Sequence, residues 1–271
     1  MYKNLFKLDG KTAIVTGGVG VLGKEFSTAL ADFGANVVIV DINKELIDEF
    51  VKKLQKKSTS KIIGLVCDVS DKSSVDLMVS NVISEFGCID ILHNNAAGKS
   101  DNLTSFFESF EEYDLSQWNK IMSVNVNGMF LVAQAVGKTM IENKINGSII
   151  QTSSIYGLLG PDQRIYDGSL YMGQEINTPA VYSVSKSSIL GLTRHLATYW
   201  ANKGIRVNTL TPGGVESGQN DIFKKKYSDR VPLGRMALSN EMVGGLIYLA
   251  SDASSYVTGQ NIVIDGGLTA W

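Results

Sequence analysis

Tyr182 and Lys186 stand four residues apart in a helix-forming stretch, 180–200, so the two side chains project from one helical face. A phenol titrates near pH 10 and is a poor proton donor or acceptor at neutral pH. An ammonium beside it favours the phenolate and draws it toward a working range. Tyr199 and Lys203 repeat the spacing, so spacing alone does not select the first pair. The selection comes from the chain around it.

The chain has 271 residues, of which 44% are apolar, which suits one large domain or two small ones. Its formal net charge is −2, which gives no electrostatic case for a nucleic-acid or membrane-surface partner. Cys67 and Cys88 are the only cysteines and are unclustered, so neither a disulfide framework nor a zinc site is expected. His93 and His195 are the only histidines and are read as structural or surface residues, leaving no metal site. The first ten residues contain no apolar signal core, and no uncharged apolar run approaches the ~20 residues that span a bilayer. A cytoplasmic protein is the expectation.

Short β-branched runs at 12–16, 36–40, 61–66, 89–93, 148–152, 206–210 and 261–264 read as strands buried on both faces. Helical patterns at 23–33, 44–57, 73–86, 114–143, 180–202 and 240–251 lie between them. The alternation predicts an α/β fold: a single Rossmann-type, doubly wound parallel sheet of about seven strands with helices on both faces, in one domain spanning 1–271. Three stretches break the rhythm: a polar and aromatic loop at 99–113, an irregular insert at 158–179, and a Pro-, Gly- and Lys-bearing lid at 212–239. They lie at or just beyond strand ends, where an open parallel sheet builds its ligand site. Lys224, Lys225 and Lys226 in the lid read as a solvated helix face.

The first strand runs into Thr16-Gly-Gly-Val-Gly-Val-Leu-Gly23 and then a helix. Glycines in that position let the backbone approach a pyrophosphate seated at a helix N-terminus. Asp41 ends the second strand and can accept hydrogen bonds from both ribose hydroxyls while repelling a 2′-phosphate. Ile42 and Asn43 follow it, with no Arg to hold such a phosphate, so NAD is favoured over NADP. The competing reading of Asp41 is a helix cap, which Asn43 can also supply. Asp68 after the third strand is a candidate for the adenine, and equally a turn residue.

These segments, with Asn94–Gly98, Asn125 in Val124–Gly128, Ser153-Ser154, Pro212-Gly213 and a terminal Asp265-Gly-Gly267, resemble the single-domain short-chain dehydrogenases/reductases along essentially the whole chain. The resemblance implies that Tyr182 passes a proton to or from the substrate oxygen. Lys186 would lower the Tyr182 pKa and hold the nicotinamide ribose, and Ser154 would hold the carbonyl or hydroxyl oxygen. Asn125 would keep a helix kink and a water in the proton relay. Asn94 would stabilise the central strand. The cofactor would lie against Gly17, Gly20, Val21, Leu22, Asp41, Asp68, Val69, Asn95, Ala96, Ala97, Tyr182, Lys186, Pro212, Gly213 and Val215. Relatives of this kind are commonly homotetramers or homodimers, and apolar Leu268 and Trp271 are compatible with an interface.

The chain departs from the family in three places. Val21 stands where the single-domain pattern has Gly, so the glycine spacing matches the extended relatives, which include sugar-nucleotide epimerases and dehydratases. Chain length argues against that class, since after Pro212 only about one helix and one strand are expected. Ala97 replaces the usual Gly. Ser154 and Tyr182 are 28 positions apart, well beyond the family's usual separation. The inserted residues carry hydroxyl- and carboxylate-reading groups, among them Gln163, Arg164 and Gln174, and predict a substrate-pocket wall. The function expected is an NAD-dependent interconversion of a secondary alcohol and ketone on a polar, sugar-type substrate (sugar, sugar acid or sugar nucleotide). The alternatives are an epimerase or dehydratase with retained NAD, and a non-catalytic scaffold. Pro161–Arg164, Tyr182–Lys186 and Gly213–Gly218 also resemble flagellin-modification and nonulosonic-acid-pathway oxidoreductases.

Overall fold

The computed structural model describes residues 2–98, 100 and 102–271. Lys99 and Asp101, in the expected 99–113 loop, lie outside the described residues. The backbone is organised by a seven-stranded parallel sheet in the order β3-β2-β1-β4-β5-β8-β9. Its strands are β1 (Thr12–Thr16), β2 (Asn36–Asp41), β3 (Ile62–Val66), β4 (Ile91–Asn94), β5 (Ser148–Thr152), β8 (Arg206–Pro212) and β9 (Asn261–Ile264). Every residue of β1, β4 and β5 is buried, because helices cover both faces. Strand order reverses between β1 and β4, where the chain's direction of winding changes. Their pairing is in parallel register, Ala13 opposite Ile91 and Val15 opposite His93.

One face is covered by α1 (Val21–Asp32), α2 (Lys44–Gln55) and α9 (Val243–Ala250). Phe26, Ile47 and Leu246 from these helices join Val15, Ile39 and Ile150 of the sheet. The other face carries α3 (Lys72–Phe86), α6 (Met129–Glu142) and α7 (Ala180–Trp200), with Met78, Val136 and Trp200 against Ile14, Val38 and Leu92. Asn43 caps α2 through the Leu46 N–H, and Asp71 caps α3 through Ser73, each relieving an unpaired first-turn donor.

The structure refines the sequence expectation at several points. The helix expected over 114–143 is two helices, α5 (Leu115–Met122) and α6, joined by a π-helical turn at Ser123–Gly128. A short helix, α4 (Leu103–Phe106), lies in the polar and aromatic loop. The insert is not wholly irregular: β6 (Leu170–Tyr171) and β7 (Gln174–Glu175) pair as a small antiparallel hairpin. Beyond Pro212 there are two helices rather than one, α8 (Asp221–Ser228) and α9. Lys226 on α8 is also not merely solvated, since its ammonium donates to the carbonyls of Arg164 and Asp167. The β4 expectation began two residues early, and β8 continues to Pro212. Leu268 is buried in this chain's own cluster with Phe223 and Tyr227, which corrects its expected interface role, while Trp271 remains exposed.

The α6–α7 crossing sets the position of the helix that carries Tyr182. Gly137 of α6 lies against the Trp200 indole of α7, and a methyl group there would overlap the ring. Gly137→Ala is expected to lower stability by about 1–3 kcal/mol through overpacking, read as a lower urea midpoint with unchanged slope.

Candidate active site

The strand ends at the β1–β4 reversal form the floor of the site. Thr16 ends β1, and its hydroxyl accepts from the Asn95 and Ala96 N–H groups at 2.9 and 3.0 Å while donating to Asn94 Oδ1 at 3.4 Å. Asn95 returns a bond from its side-chain amide to the Thr16 carbonyl. Asn94 Nδ2 donates to the Met129 carbonyl at 2.8 Å, tying β4 to the start of α6. Thr16 thus holds two segments distant in sequence at a fixed separation, a role the sequence motif alone did not assign.

Four side chains meet above this floor. Asn125 lies in the π turn, fully buried, where its Oδ1 accepts from Gly98 N at 2.8 Å and its Nδ2 donates to Ser185 Oγ at 3.2 Å. The π turn directs this amide at both the β4 loop and α7. Ser154 follows β5; its hydroxyl accepts from Tyr156 N, and it lines the same cavity as Tyr182. Its neighbour Ser153 instead donates to the Lys186 carbonyl at 2.7 Å, which locks α7 against the strand end. The serine pair is thereby divided into one hydroxyl facing the phenol and one fastening the helix. Lys186 is 3% exposed; its ammonium donates to the Thr152 carbonyl at 3.2 Å and lies 6.0 Å from the Tyr182 ring centre.

The electrostatics differ from the sequence expectation. Burial pushes the Tyr182 phenol above its ordinary value, opposed by the Ser154 hydrogen bond. Burial also lowers the Lys186 ammonium to about 8. Burial is the largest influence on the phenol, and the Lys186 ammonium, expected to lower it, is bonded to the Thr152 carbonyl. His93, bonded to Thr152 Oγ1 and packed edge-on to Phe26, is held neutral by burial, with its pKa near 3.

The turn after β1 suits a dinucleotide pyrophosphate on its own geometry. Gly17 adopts φ 63° and lies so close to Ala96 that an added Cβ would stand 2.9 Å from the Ala96 Cα. Gly20 caps α1 with no side-chain bond over the helix N-terminus. Val21 is 55% exposed as the first residue of α1, whereas Leu22 turns toward the core. Asp41 is not the α2 cap; its carboxylate accepts from Val19 N at 3.3 Å and Ile42 N at 2.8 Å, beside the turn. Asp68 spends one carboxylate oxygen on Ser70, next to buried Val69. Ala97 is exposed beyond β4, and Pro212 and Gly213 close the opposite side, with Gly213 N bonded to the Ile264 carbonyl. Val215 bridges to Ala237. The Lys186 ammonium, buried and bonded to the Thr152 carbonyl, has two further donors of the kind that suit ribose hydroxyls.

Ser154 and Tyr182 open into a cavity of about 310 Å3 walled by Tyr156, Tyr166, Thr178 and Tyr227 among others. The insert supplies Tyr166, whose hydroxyl bonds Thr178 Oγ1 at 2.5 Å and donates to Tyr156 at 3.5 Å. Its ring stacks on Phe223 of α8 at 5.3 Å, joining insert and lid into one wall. Tyr227 Oη accepts from Gly214 N at 2.5 Å. Of the expected substrate readers, Gln163 exchanges two bonds with the Thr178 backbone, and Gln174 Oε1 accepts from Thr104. Arg164 is exposed and forked onto Asp162, so its guanidinium does not line this cavity. The aromatic hydroxyls of Tyr156 and Tyr227 escaped sequence reasoning because nothing in their spacing links them before the chain folds. Among the described residues, no group of His, Cys, Asp and Glu side chains could hold a metal, and no helix is long and apolar enough to cross a membrane.

The fold and this site define an oxidoreductase of the nicotinamide-dependent type. Residues 19–269 match the family model described as enoyl-(acyl carrier protein) reductase, and the chain belongs to the short-chain dehydrogenase/reductase family. The chain is 34% identical over 98% of its length, and 96% of the relative's, to a D-arabinitol 2-dehydrogenase (ribulose-forming) of Scheffersomyces stipitis. It is 35% identical over 97% of its length, and 99% of the relative's, to a 3-oxoacyl-[acyl-carrier-protein] reductase of Thermotoga maritima. Among solved structures it superposes with TM-score 0.88 and 30% identity, over 100% of both chains, on a gluconate 5-dehydrogenase from Burkholderia cenocepacia in complex with NADP and tartrate.

The buried lysine has a measurable signature. The unfolded ammonium titrates near 10.5 and the folded one near 8, so between these values the unfolded chain binds more protons. The penalty for burying the charge is complete below pH 8 and is relieved as pH rises. Relative to Lys186→Met, wild-type stability should gain about 3 kcal/mol from pH 8 toward 10.5, from urea unfolding at a series of pH values. Parallel curves for the two proteins would contradict the placement of the ammonium.

Proposed function

We propose that the protein is an NAD-dependent dehydrogenase that interconverts a secondary alcohol and a ketone on a sugar-type polyol. The observation that carries this reading is the Ser154–Tyr182 hydroxyl pair at the mouth of a cavity rich in further hydroxyls. A bound nicotinamide supplies hydride transfer, which is the cofactor's chemistry. Ser154 and Tyr182 hold the substrate oxygen between two donors, and Tyr182 gives or takes its proton. Lys186 holds the ribose side, and Asn125 fixes the π turn that faces it. Because burial raises the phenol, Tyr182 is protonated at neutral pH and serves directly as the acid for ketone reduction. Alcohol oxidation needs the phenolate, so its rate rises with pH across the neutral range. Gly17, Gly20, Val21, Leu22, Asp41, Asp68, Val69, Asn95, Ala96, Ala97, Pro212, Gly213 and Val215 form the dinucleotide cleft in this reading.

Asp41 supports NAD over NADP. Its carboxylate stands at the end of β2 beside the glycine turn, where a 2′-phosphate would meet a like charge. The chain also resembles an acyl-carrier reductase, which gives a second substrate class, but the hydroxyl-bearing Ser154, Tyr156, Tyr166, Thr178, Tyr182 and Tyr227 that line the cavity suit a polyol better than an acyl chain. A homodimer or homotetramer is supported by the exposed Phe130 and Tyr199 on the outer faces of α6 and α7. Two free thiols fit a cytoplasmic setting.

Three measurements test the reading. Pentitols, hexitols and aldonates, offered with NAD+, should raise reduced-nicotinamide absorbance, and a 3-oxoacyl thioester with NADH should not be turned over. Tyr182→Phe should lower kcat at least ~100-fold with dinucleotide affinity unchanged. Asp41→Ala should weaken NAD+ binding about tenfold, roughly 1.4 kcal/mol, and improve NADP+ binding. Tighter NADP+ than NAD+ binding in the wild type would reverse the assignment.

A further inference from the structure

Beside the Ser154–Tyr182 cavity lies a second, larger one of about 1130 Å3, between the insert and the loop that carries α4. The two share Tyr166, Asn177, Thr178 and Pro179, so they are adjoining chambers of one cleft. We propose that the substrate continues past its reacting carbinol into this outer chamber, and that the extension is an uncharged glycosyl unit. The inference rests on the polyol reading above and names its substrate class more closely.

Size is the first argument. The inner chamber of about 310 Å3 is at the lower end of small-ligand sites, and the outer one adds more room than an open-chain pentitol fills. Chemistry is the second. Seven buried side-chain polar atoms among the described residues have no hydrogen-bond partner, and four of them belong to residues lining this one chamber: Tyr113 Oη, Ser169 Oγ, Asn177 Oδ1 and Ser183 Oγ. Ser169 is 1% exposed. Leaving such groups unpaired costs roughly 1–3 kcal/mol each, and a hydroxyl-rich occupant reached by small side-chain rotations satisfies them. Phe107 and Phe110 supply the apolar faces against which a pyranose ring packs.

Charge is the third argument, and it excludes the other sugar classes. Glu108, Asp167 and Glu175 line the chamber, whereas no Lys, Arg or His does so among the described residues. The Arg164 guanidinium is forked onto Asp162, and the Lys226 ammonium is bonded to the Arg164 and Asp167 carbonyls and lies 4.0 Å from the Asp167 carboxylate. A phosphate, a nucleoside diphosphate or a uronate would enter this space against the carboxylates of Glu108 and Glu175, while the Lys226 ammonium is already taken up by the Asp167 carboxylate and two backbone carbonyls. A second neutral ring meets no such penalty. Catalysis gains from it, because binding energy from a remote part of the substrate can be used to orient the reacting carbon.

The test compares sorbitol, its glucosyl derivative maltitol, sorbitol 6-phosphate and a UDP-hexose. Affinity for the NADH complex is measured by calorimetry, which requires no turnover, and kcat/KM is measured with NAD+. Maltitol should bind at least tenfold tighter than sorbitol, and both anionic compounds should bind more weakly than sorbitol. Phe110→Ala, on the exposed rim of the outer chamber and away from Ser154 and Tyr182, should remove the maltitol advantage and leave sorbitol unchanged. Equal affinities for maltitol and sorbitol, or a preference for either anionic compound, would overturn the proposal. So would a Phe110→Ala protein that loses sorbitol and maltitol binding alike, or one that changes subunit number instead. Failure of the polyol reading looks different: it is the absence of any polyol oxidation, whatever the binding order.

Discussion

A lysine ammonium taken out of water is the constraint around which this site is arranged. Lys186 can be buried because the β5 end offers the Thr152 carbonyl and because Ser153 fastens the same turn of α7 from the other side. Each of those contacts depends on α7 lying close against β5. That closeness depends in turn on small residues at the helix contacts: Gly137 under Trp200, and Gly157 against the Lys186 carbonyl. The sheet supplies the remaining requirement. Parallel pairing brings the ends of β1, β4, β5 and β8 to one edge, where the glycine turn, Asn95, Ser154 and Gly213 follow the strands.

The same desolvation that perturbs the lysine also sets the phenol. Tyr182 and Lys186 share a helix face, yet their burial acts on them in opposite senses, raising the acid and lowering the base. Both shifts favour the neutral form, as a low-dielectric site must. Proximity of a cation is therefore an incomplete guide to a catalytic pKa. The cation has to be aimed at the oxygen, and here the protein aims it at a carbonyl. Burial thus keeps the phenol in its protonated form at neutral pH.

The substrate side is built by long-range packing rather than by the sheet. Tyr166 on the insert stacks on Phe223 of α8, Lys226 ties α8 to the insert backbone, and Arg230 approaches Asp162 at 3.5 Å. These contacts are why an insert with little regular structure holds a defined shape. They also explain the placement of Arg164 and Gln174. Both looked like substrate readers in the sequence, but one is neutralised by a neighbour two residues away and the other bonds a residue of the facing loop.

The sequence by itself determined the sheet, the helices on its faces and the glycine turn, and its resemblance to a family singled out Asn125, Ser154, Tyr182 and Lys186 as candidates. Those features are written in local signals: β-branched runs, capping residues and fixed motif spacings, each read within a few residues. The π turn at Ser123–Gly128 was not legible, since its residues follow a helical pattern and only the demand to reach Gly98 and Ser185 together widens the turn. The outer chamber and its unpaired hydroxyls were equally hidden. They arise where residues 107–113 and 161–184 face each other across the cleft. Only the folded chain decides which side chains those segments spend on each other and which they leave for a ligand, because that outcome depends on distances between residues far apart in sequence.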